Sequence, residues 1–255
     1  MVKYLKVSTV VSTMRIDILT LFPRMFDGLF DYSIIGRARE RGLVDIRLHD
    51  IRSYTHDKHS VVDDYPYGGG AGMVLKPEPM FEAVEDIREE FGLSSVSTVL
   101  LTPQGRLLNQ EIVNQLTGYQ QLILLCGHYE GIDERVAEHL TDDEISIGDY
   151  LLSGGEIAAM VIVDCLVRLL PGAIGSEASL MEESYADGLL EYPQYTRPAV
   201  YRSWSVPEVL LSGNHGQIAL WRRQQSLLRT AERRPATMEK TILSKEDKEL
   251  LNEAQ

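Results

Sequence analysis

The chain has 255 residues, 44% of them hydrophobic, and 25 Lys and Arg stand against 38 Asp and Glu for a formal charge of −13. This suits one large domain, or a core domain with a smaller satellite, and excludes disorder as the dominant state. No apolar run approaches the roughly 20 residues that cross a bilayer, and the opening MVKYLKVSTVVST has too weak an apolar centre for a signal peptide, so a cytoplasmic protein without membrane partners is expected. The acidic balance argues at first sight against nucleic acid, but global charge averages over faces. Cys126 and Cys165 sit in apolar runs, where a reduced, buried thiol is expected rather than a disulfide or a metal ligand.

Met14 opens the first structured pattern, so residues 1–13 read as an N-terminal extension. Residues 15–22 (RIDILTLF) read as a strand, 25–41 as an amphipathic helix, 44–50 as a strand, 77–90 as a helix, and 98–101 and 121–126 as strands. A helix over 132–139 and a short strand over 144–148 follow. Such alternation predicts an α/β fold with a mostly parallel sheet covered by helices, and in such sheets ligands bind beyond the strand ends. Three of those ends carry LTPQGR, CGHYEGID and SIGDYLLSGGE. From 156 to 169, Ile157, Met160, Val161, Val163, Leu166, Val167 and Leu169 cover more than a stripe, predicting a helix packed on several sides, with another subunit as one candidate neighbour. Pro171 and Gly172 break it, and a Gly-, Ser-, acid- and Tyr-rich stretch up to YTRPAVY reads as a linker or functional loop. Residues 218–235 form a basic helix with Trp221, Leu227 and Leu228 on its apolar side, which places a domain boundary between Pro171 and Arg197.

The glycines of SIGDYLLSGGE allow close approach of a ligand, and exposed main-chain donors and acceptors suit the edge of an adenine. The same residues equally suit a strand, a tight turn and a helix start. Gly127, Glu130 and Gly131 either hold a ribose hydroxyl or turn the chain. Neither G-x-G-x-x-G nor a glycine loop ending in G-K-[ST] is present, and Met73 stands where a P-loop in PYGGGAGMVLKP would need lysine, which argues against a nucleotide triphosphatase. That segment reads as a loop over a substrate or a plain solvent loop. His56, Asp57 and His59 match no standard zinc spacing, so hydrogen bonding within a polar loop is expected and no metal site is assigned. Asp164 and Arg168, four apart, form either a surface ion pair or a site where a largely apolar helix holds an arginine for function. Alone, Glu182 and Glu183 would read as solvated loop. Arg222, Arg223, Arg229, Arg233 and Arg234 face only Glu232 within the basic helix, a segregation that favours phosphate contacts over a solvated face.

LFPRMF, THDKHSVVDDYPYGGGAGM, LTPQGR, LCGHYEGIDERV, SIGDYLLSGGE, PGAIG, YTRP, VPEVLLSGNH and WRRQQSL follow one another between about Met14 and Pro235. In that order the chain resembles the bacterial tRNA (guanine-N1)-methyltransferases of the trefoil-knotted (SPOUT) superfamily. The resemblance implies a deep C-terminal trefoil knot in a methyltransferase domain of residues 14–172, a flexible interdomain linker over 173–197 and a small helical tRNA-binding domain over 198–255. Knots are rare exceptions to the usual topology rules, and periodicity does not predict one. It further implies a homodimer whose active site is shared between subunits, and methylation of the guanine immediately 3′ of the anticodon, which guards against frameshifting.

By the same resemblance S-adenosyl-L-methionine would be held by Thr102 and Pro103, by Gly127, Tyr129 and Glu130, and by Ser146, Ile147, Gly148, Asp149, Tyr150, Leu151, Leu152, Gly154 and Gly155. The tRNA would meet Arg222, Arg223, Arg229 and Arg233. The family's linker aspartate, the base that takes the N1 proton, falls on Glu183, with Glu182 the lesser candidate; this is a departure, since the carboxylate sits one methylene further out. Arg168 matches the arginine that stabilises charge at guanine O6. Mg²⁺ is connected with the family's activity, but no residues here are assigned to it. Two rival readings are an RNA clamp without turnover, which Glu183 in place of aspartate favours, and a knotted methyltransferase of ribosomal RNA or of a ribose 2′-hydroxyl.

Overall fold

The computed structural model describes residues 13–92, 94–175 and 183–252, and the chain divides into two compact units, one through Gly175 and one from Ser176 onward. Among the described residues of the first unit, five parallel strands form one sheet in the order β2-β1-β6-β5-β7: β1 (Met14–Thr20), β2 (Val44–Asp50), β5 (Val96–Leu107), β6 (Gln121–Cys126) and β7 (Asp143–Ser146). Two-residue strands β3 (Asp63–Asp64) and β4 (Val74–Leu75) pair separately. The helices are α1 (Ser33–Glu40), α2 (Pro77–Phe91), α3 (Gln110–Leu116), α4 (Glu134–Leu140) and α5 (Glu156–Val167).

Every residue of β1 and β6 is buried, as expected of parallel strands covered on both faces. Alternation sorts their side chains into two cores. Ile16, Ile18, Leu122 and Leu124 join Ile112 of α3 and Ile162 of α5 on one face. Leu19, Ile123 and Leu125 join Met80 and Val84 of α2 and Val136 of α4 on the other. Asp17, fully buried in β1, accepts hydrogen bonds from Arg15 at 2.6 and 2.7 Å and from Gln121 at 2.7 Å, with His49 Nε2 at 2.8 Å. Burial pushes its carboxyl up, but the bonds from His49, Arg15 and Gln121 outweigh that and hold it below the usual carboxylate range.

The structure corrects two predicted elements and adds a third. The single helix over 25–41 is instead two 3-10 turns, Pro23–Phe26 and Leu29–Asp31, followed by α1. Gly28 between the turns is left-handed, with φ 74°, and the stacked rings of Phe26 and Phe30 bury what periodicity reads as a helical stripe. The strand over 98–101 extends to Leu107, its register against β7 slipping between Leu101 and Arg106. Gly105 permits this: a Cβ there would lie 2.4 Å from the Ile145 nitrogen. Helix α3, absent from the sequence reading, is capped by the Asn109 side chain, which accepts from Ile112 N at 2.9 Å.

In the second unit a hairpin, β8 (Val200–Tyr201) and β9 (Trp204–Ser205), precedes α6 (Glu208–Leu211), α7 (His215–Arg233), α8 (Pro235–Lys240) and α9 (Lys245–Asn252). Of the segment read as a linker, Ala173 is buried in the core of the first unit, while residues from 183 onward belong to the second and lie against these helices. Leu189 is buried, Leu190 N donates to Thr230 Oγ1 at 2.8 Å, and Thr241 Oγ1 donates to Gly188 O at 2.9 Å.

Arg223 holds this unit together. It donates to both oxygens of Asp247 at 2.7 and 2.9 Å and also to Asp187. Hydrogen bonds from Arg223 hold the Asp247 carboxyl down at about 2. Arg223→Ala, which leaves the buried Asp247 with the Ser244 amide as its donor, is expected to lower stability by about 1–3 kcal/mol in urea denaturation. A depressed carboxylate stabilises the fold above its ordinary value and loses that contribution as pH falls through the folded one. The stability difference between the parent and Asp247→Asn is therefore expected to hold above pH 4 and to shrink as pH falls towards 2.

Candidate active site at the carboxyl ends of the strands

Because the strands are parallel, β6 and β7 deliver their following loops to one edge of the sheet, beside the stretch between Leu101 and Arg106 where β5 shifts register. The Gly155 amide donates to Gly127 O at 2.9 Å, and Gly154 bridges His128, so the loops after β6 and β7 are joined through main chain. A Cβ on Gly155 would stand 2.7 Å from the Cα of Cys126, and one on Gly127 would come within 3.9 Å of Leu101 O, where the register of β5 against β7 begins to shift. The end of β6 is thus packed backbone to backbone against the start of α5. The first turn of α5 is tied to the end of β1, where Thr20 Oγ1 donates to Glu156 Oε1 at 2.7 Å. A carboxylate at a helix N-terminus is also favoured by the helix dipole. Burial, reinforced by Glu156, pushes the Cys126 thiol well up, so this free cysteine stays protonated and inert.

In the loop after β6, Tyr129 adopts φ 60° and keeps 49% of its surface exposed. Burial of its hydroxyl end and Asp63 raise its pKa. The Glu130 amide donates to Met73 O at 3.1 Å, and a Cβ on Gly72 (φ 86°) would lie 2.4 Å from the Glu130 side chain, so the end of PYGGGAGM lies against this loop. In the loop after β7, Ser146 Oγ donates to Gly148 O at 3.1 Å and Tyr150 OH donates to Ile147 O at 3.2 Å. The Tyr150 ring covers Gly148, where any side chain would clash. Asp149, Leu151 and Leu152 are exposed, leaving the outer part of this loop accessible.

Gly127, Tyr129, Glu130, the run Ser146 to Leu152, Gly154 and Gly155 therefore occupy two adjoining loop regions, while Thr102 and Pro103, expected in a strand-end loop, lie within β5 where its register against β7 shifts. His128 was not singled out from sequence. Its ring packs edge-on against Phe22 and Tyr129, each with centroids 4.9 Å away, and its buried Nδ1 has no hydrogen-bond partner among the described residues. The signal was present in CGHYEGID, but a histidine between two turn glycines looks like any loop residue.

Residues 14–240 match the family described as tRNA (Guanine-1)-methyltransferase TrmD. The chain belongs to this family. It is 56% identical over 240 residues to the tRNA (guanine-N(1)-)-methyltransferase of Dehalococcoides mccartyi strain BAV1, covering 94% of this chain and 96% of that one. The similarly named protein of Pelotomaculum thermopropionicum is 56% identical with the same coverage, and that of Geobacillus kaustophilus is 55% identical, covering 94% of this chain and 98% of its own.

The other predicted residues of this tRNA (guanine-1)-methyltransferase family member lie elsewhere. Arg168, half-buried, closes α5 about 20 Å along the helix axis from Gly155. Glu183, half-buried, belongs to the second unit, and Glu182 lies outside the described residues. On α7, Arg222 stacks over Tyr192 at 4.6 Å, Arg229 is half-buried and Arg233 is exposed. Arg223, expected to meet tRNA, donates to Asp247 and Asp187. His56 pairs with Glu82 at 2.8 Å, while Asp57 accepts from the amides of His59 and Val61, hydrogen bonds of a polar loop. Among the described residues no three His, Cys, Asp or Glu side chains cluster as a metal site, and no helix is long and apolar enough to cross a membrane.

Proposed function

We propose that this chain transfers the methyl group of S-adenosylmethionine to N1 of the guanine immediately 3′ of the anticodon in tRNA, a modification that protects the reading frame. The observation that carries the reading is the main-chain union of the two glycine-bearing loops after β6 and β7, with Gly155 hydrogen bonded to Gly127, in a member of this family. These loops fit the cofactor. Their glycines admit close approach, the loop after β7 has an exposed outer part, and the orphaned Nδ1 of His128 is a buried polar atom awaiting a partner. A trefoil knot is supported by the way the chain entering α5 crosses the end of β6, with Gly155 on Cys126.

When bound, S-adenosylmethionine supplies an electrophilic methyl on its sulfonium. Guanine N1 holds its proton at neutral pH, and the Glu183 carboxylate removes it so that the nitrogen lone pair can attack. The negative charge that moves to O6 is met by the fixed guanidinium of Arg168. Within one chain Arg168 lies the length of α5 away from the loops, so a second copy supplies it. Ile157 and Val161, 44% and 36% exposed on α5, give that copy an apolar face. The tRNA is held by Arg222, Arg229 and Arg233 of the second unit, in the cytoplasm where its substrate is made.

The test is methyl transfer from labelled S-adenosylmethionine to an unmodified tRNA transcript, run beside a transcript whose guanine after the anticodon is adenine. Transfer to the first alone is expected. Equal transfer to both would move the target elsewhere in the RNA, and binding of both substrates without transfer would favour an RNA clamp.

A further inference from the structure

The second unit contains a cavity of about 390 Å³ that none of the methyl-transfer chemistry uses. Its volume falls within the roughly 300–1,000 Å³ of small-molecule sites. The walls include Tyr192, Tyr195, Arg197, Leu210 and Arg222, and no Asp or Glu is among the lining residues, although the chain has 38 of them. The Arg222 guanidinium stacks on the Tyr192 ring at 4.6 Å, with its Nε buried and lacking a hydrogen-bond partner among the described residues.

The hairpin β8–β9 rises from the same wall, since Ala199 and Val206, which line the cavity, close it by a hydrogen bond of 2.9 Å. At its tip Arg202 lies over Tyr201 at 5.5 Å and over Trp204 at 5.9 Å. Both rings face solvent, Tyr201 58% and Trp204 64% exposed. Among the described residues no carboxylate pairs with Arg197, Arg202 or Arg222. Aromatic faces interleaved with unneutralised arginines on an otherwise acidic protein match what single-stranded nucleic acid requires: planes for its bases and cations for its phosphates. Paired bases hide their faces in the duplex stack, so the occupant is unpaired.

We propose that this cavity and hairpin form a second nucleotide site, which takes one unpaired nucleotide of the tRNA other than the guanine that is methylated. The base stacks in the cavity between Tyr195 and the Arg222–Tyr192 pair, and the neighbouring nucleotide rests on the Tyr201–Arg202–Trp204 tip. The inference rests on tRNA being the substrate, and its test separates the two. The chain has two tryptophans, so in Trp221→Phe the emission reports Trp204 alone.

An anticodon stem-loop transcript titrated into that variant is expected to quench Trp204 saturably, while a blunt duplex of equal charge leaves it nearly unchanged. Tyr195→Ala should weaken stem-loop binding about tenfold, within the range for loss of one base stack, and Tyr195→Phe should restore it. Equal quenching by duplex, no quenching by stem-loop, or unweakened binding in Tyr195→Ala overturns the site. No quenching is also the result expected if a protein partner occupies this surface. Should Tyr195→Ala fail to fold, the loop-against-duplex comparison in Trp221→Phe decides alone. Methyl transfer without Trp204 quenching would sink the site and leave the function standing; quenching without transfer would do the reverse.

Discussion

Glu183→Gln is expected to slow methyl transfer by about 10²–10⁴-fold in single-turnover assays, the usual contribution of a positioned general base. The change preserves size and leaves the local turn intact, since the bond from Ala186 N to position 183 uses the main-chain carbonyl. Binding of S-adenosylmethionine and of tRNA should therefore persist, which separates lost chemistry from lost substrate. Glu183→Asp, restoring the aspartate that the family resemblance places there, should keep most of the activity, because reach to the N1 proton differs by one methylene. If Glu183→Gln transfers methyl at the parent rate, the base is another group, and Glu182→Gln is the next variant to measure. If both glutamine variants are fully active, neither Glu182 nor Glu183 is the base.

Legibility in the sequence followed the range of the forces involved. Strand β6, read as 121–126, occupies those same residues, because six apolar-rich residues between turns leave few alternatives inside an α/β sheet. Helix α2 was readable for similar reasons, with Pro77 at its first turn and Gly92 just past its end. The 25–41 segment was misread because Met25, Leu29 and Phe30 repeat as a helix would, while the left-handed Gly28 and the Phe26–Phe30 stack are decided by packing. Helix α3 carries a signal in its sequence, Asn109 ahead of Ile112 and Val113, too short to stand out from the loop around it. The glycine loops were visible as loops, and the family resemblance, not their spacing, assigned them to a cofactor. The pairing of Arg223 with Asp247 was not legible, because a count of charges along α7 cannot see a residue 24 positions on. Long-range passages of this kind are where one-dimensional patterns stop.

The crossing of α5 over β6 is one such passage, and Gly155→Ala is expected to damage it severely. Gly155 has φ −78° and ψ −9°, a conformation open to any residue, so backbone freedom is not why glycine stands there. At such a position alanine ordinarily stabilises by about 0.4–1 kcal/mol by reducing the entropy of the unfolded chain. Here the added Cβ would meet the Cys126 Cα at 2.7 Å and the Gly127 nitrogen at 3.1 Å, backbone atoms at a buried strand end that cannot swing aside. Overpacking of this kind costs about 1–3 kcal/mol, so the net sign should be destabilising. The same displacement strains the Gly155–Gly127 hydrogen bond that joins two of the loops, so S-adenosylmethionine affinity should fall about tenfold or more. Calorimetric unfolding and titration of the cofactor read the two effects separately, with Gly175→Ala as the control, since nothing lies within 4 Å of a Cβ there. A Gly155→Ala chain as stable as the control and binding cofactor normally would show that the crossing has room to spare, and that the glycine answers to something other than contact with β6.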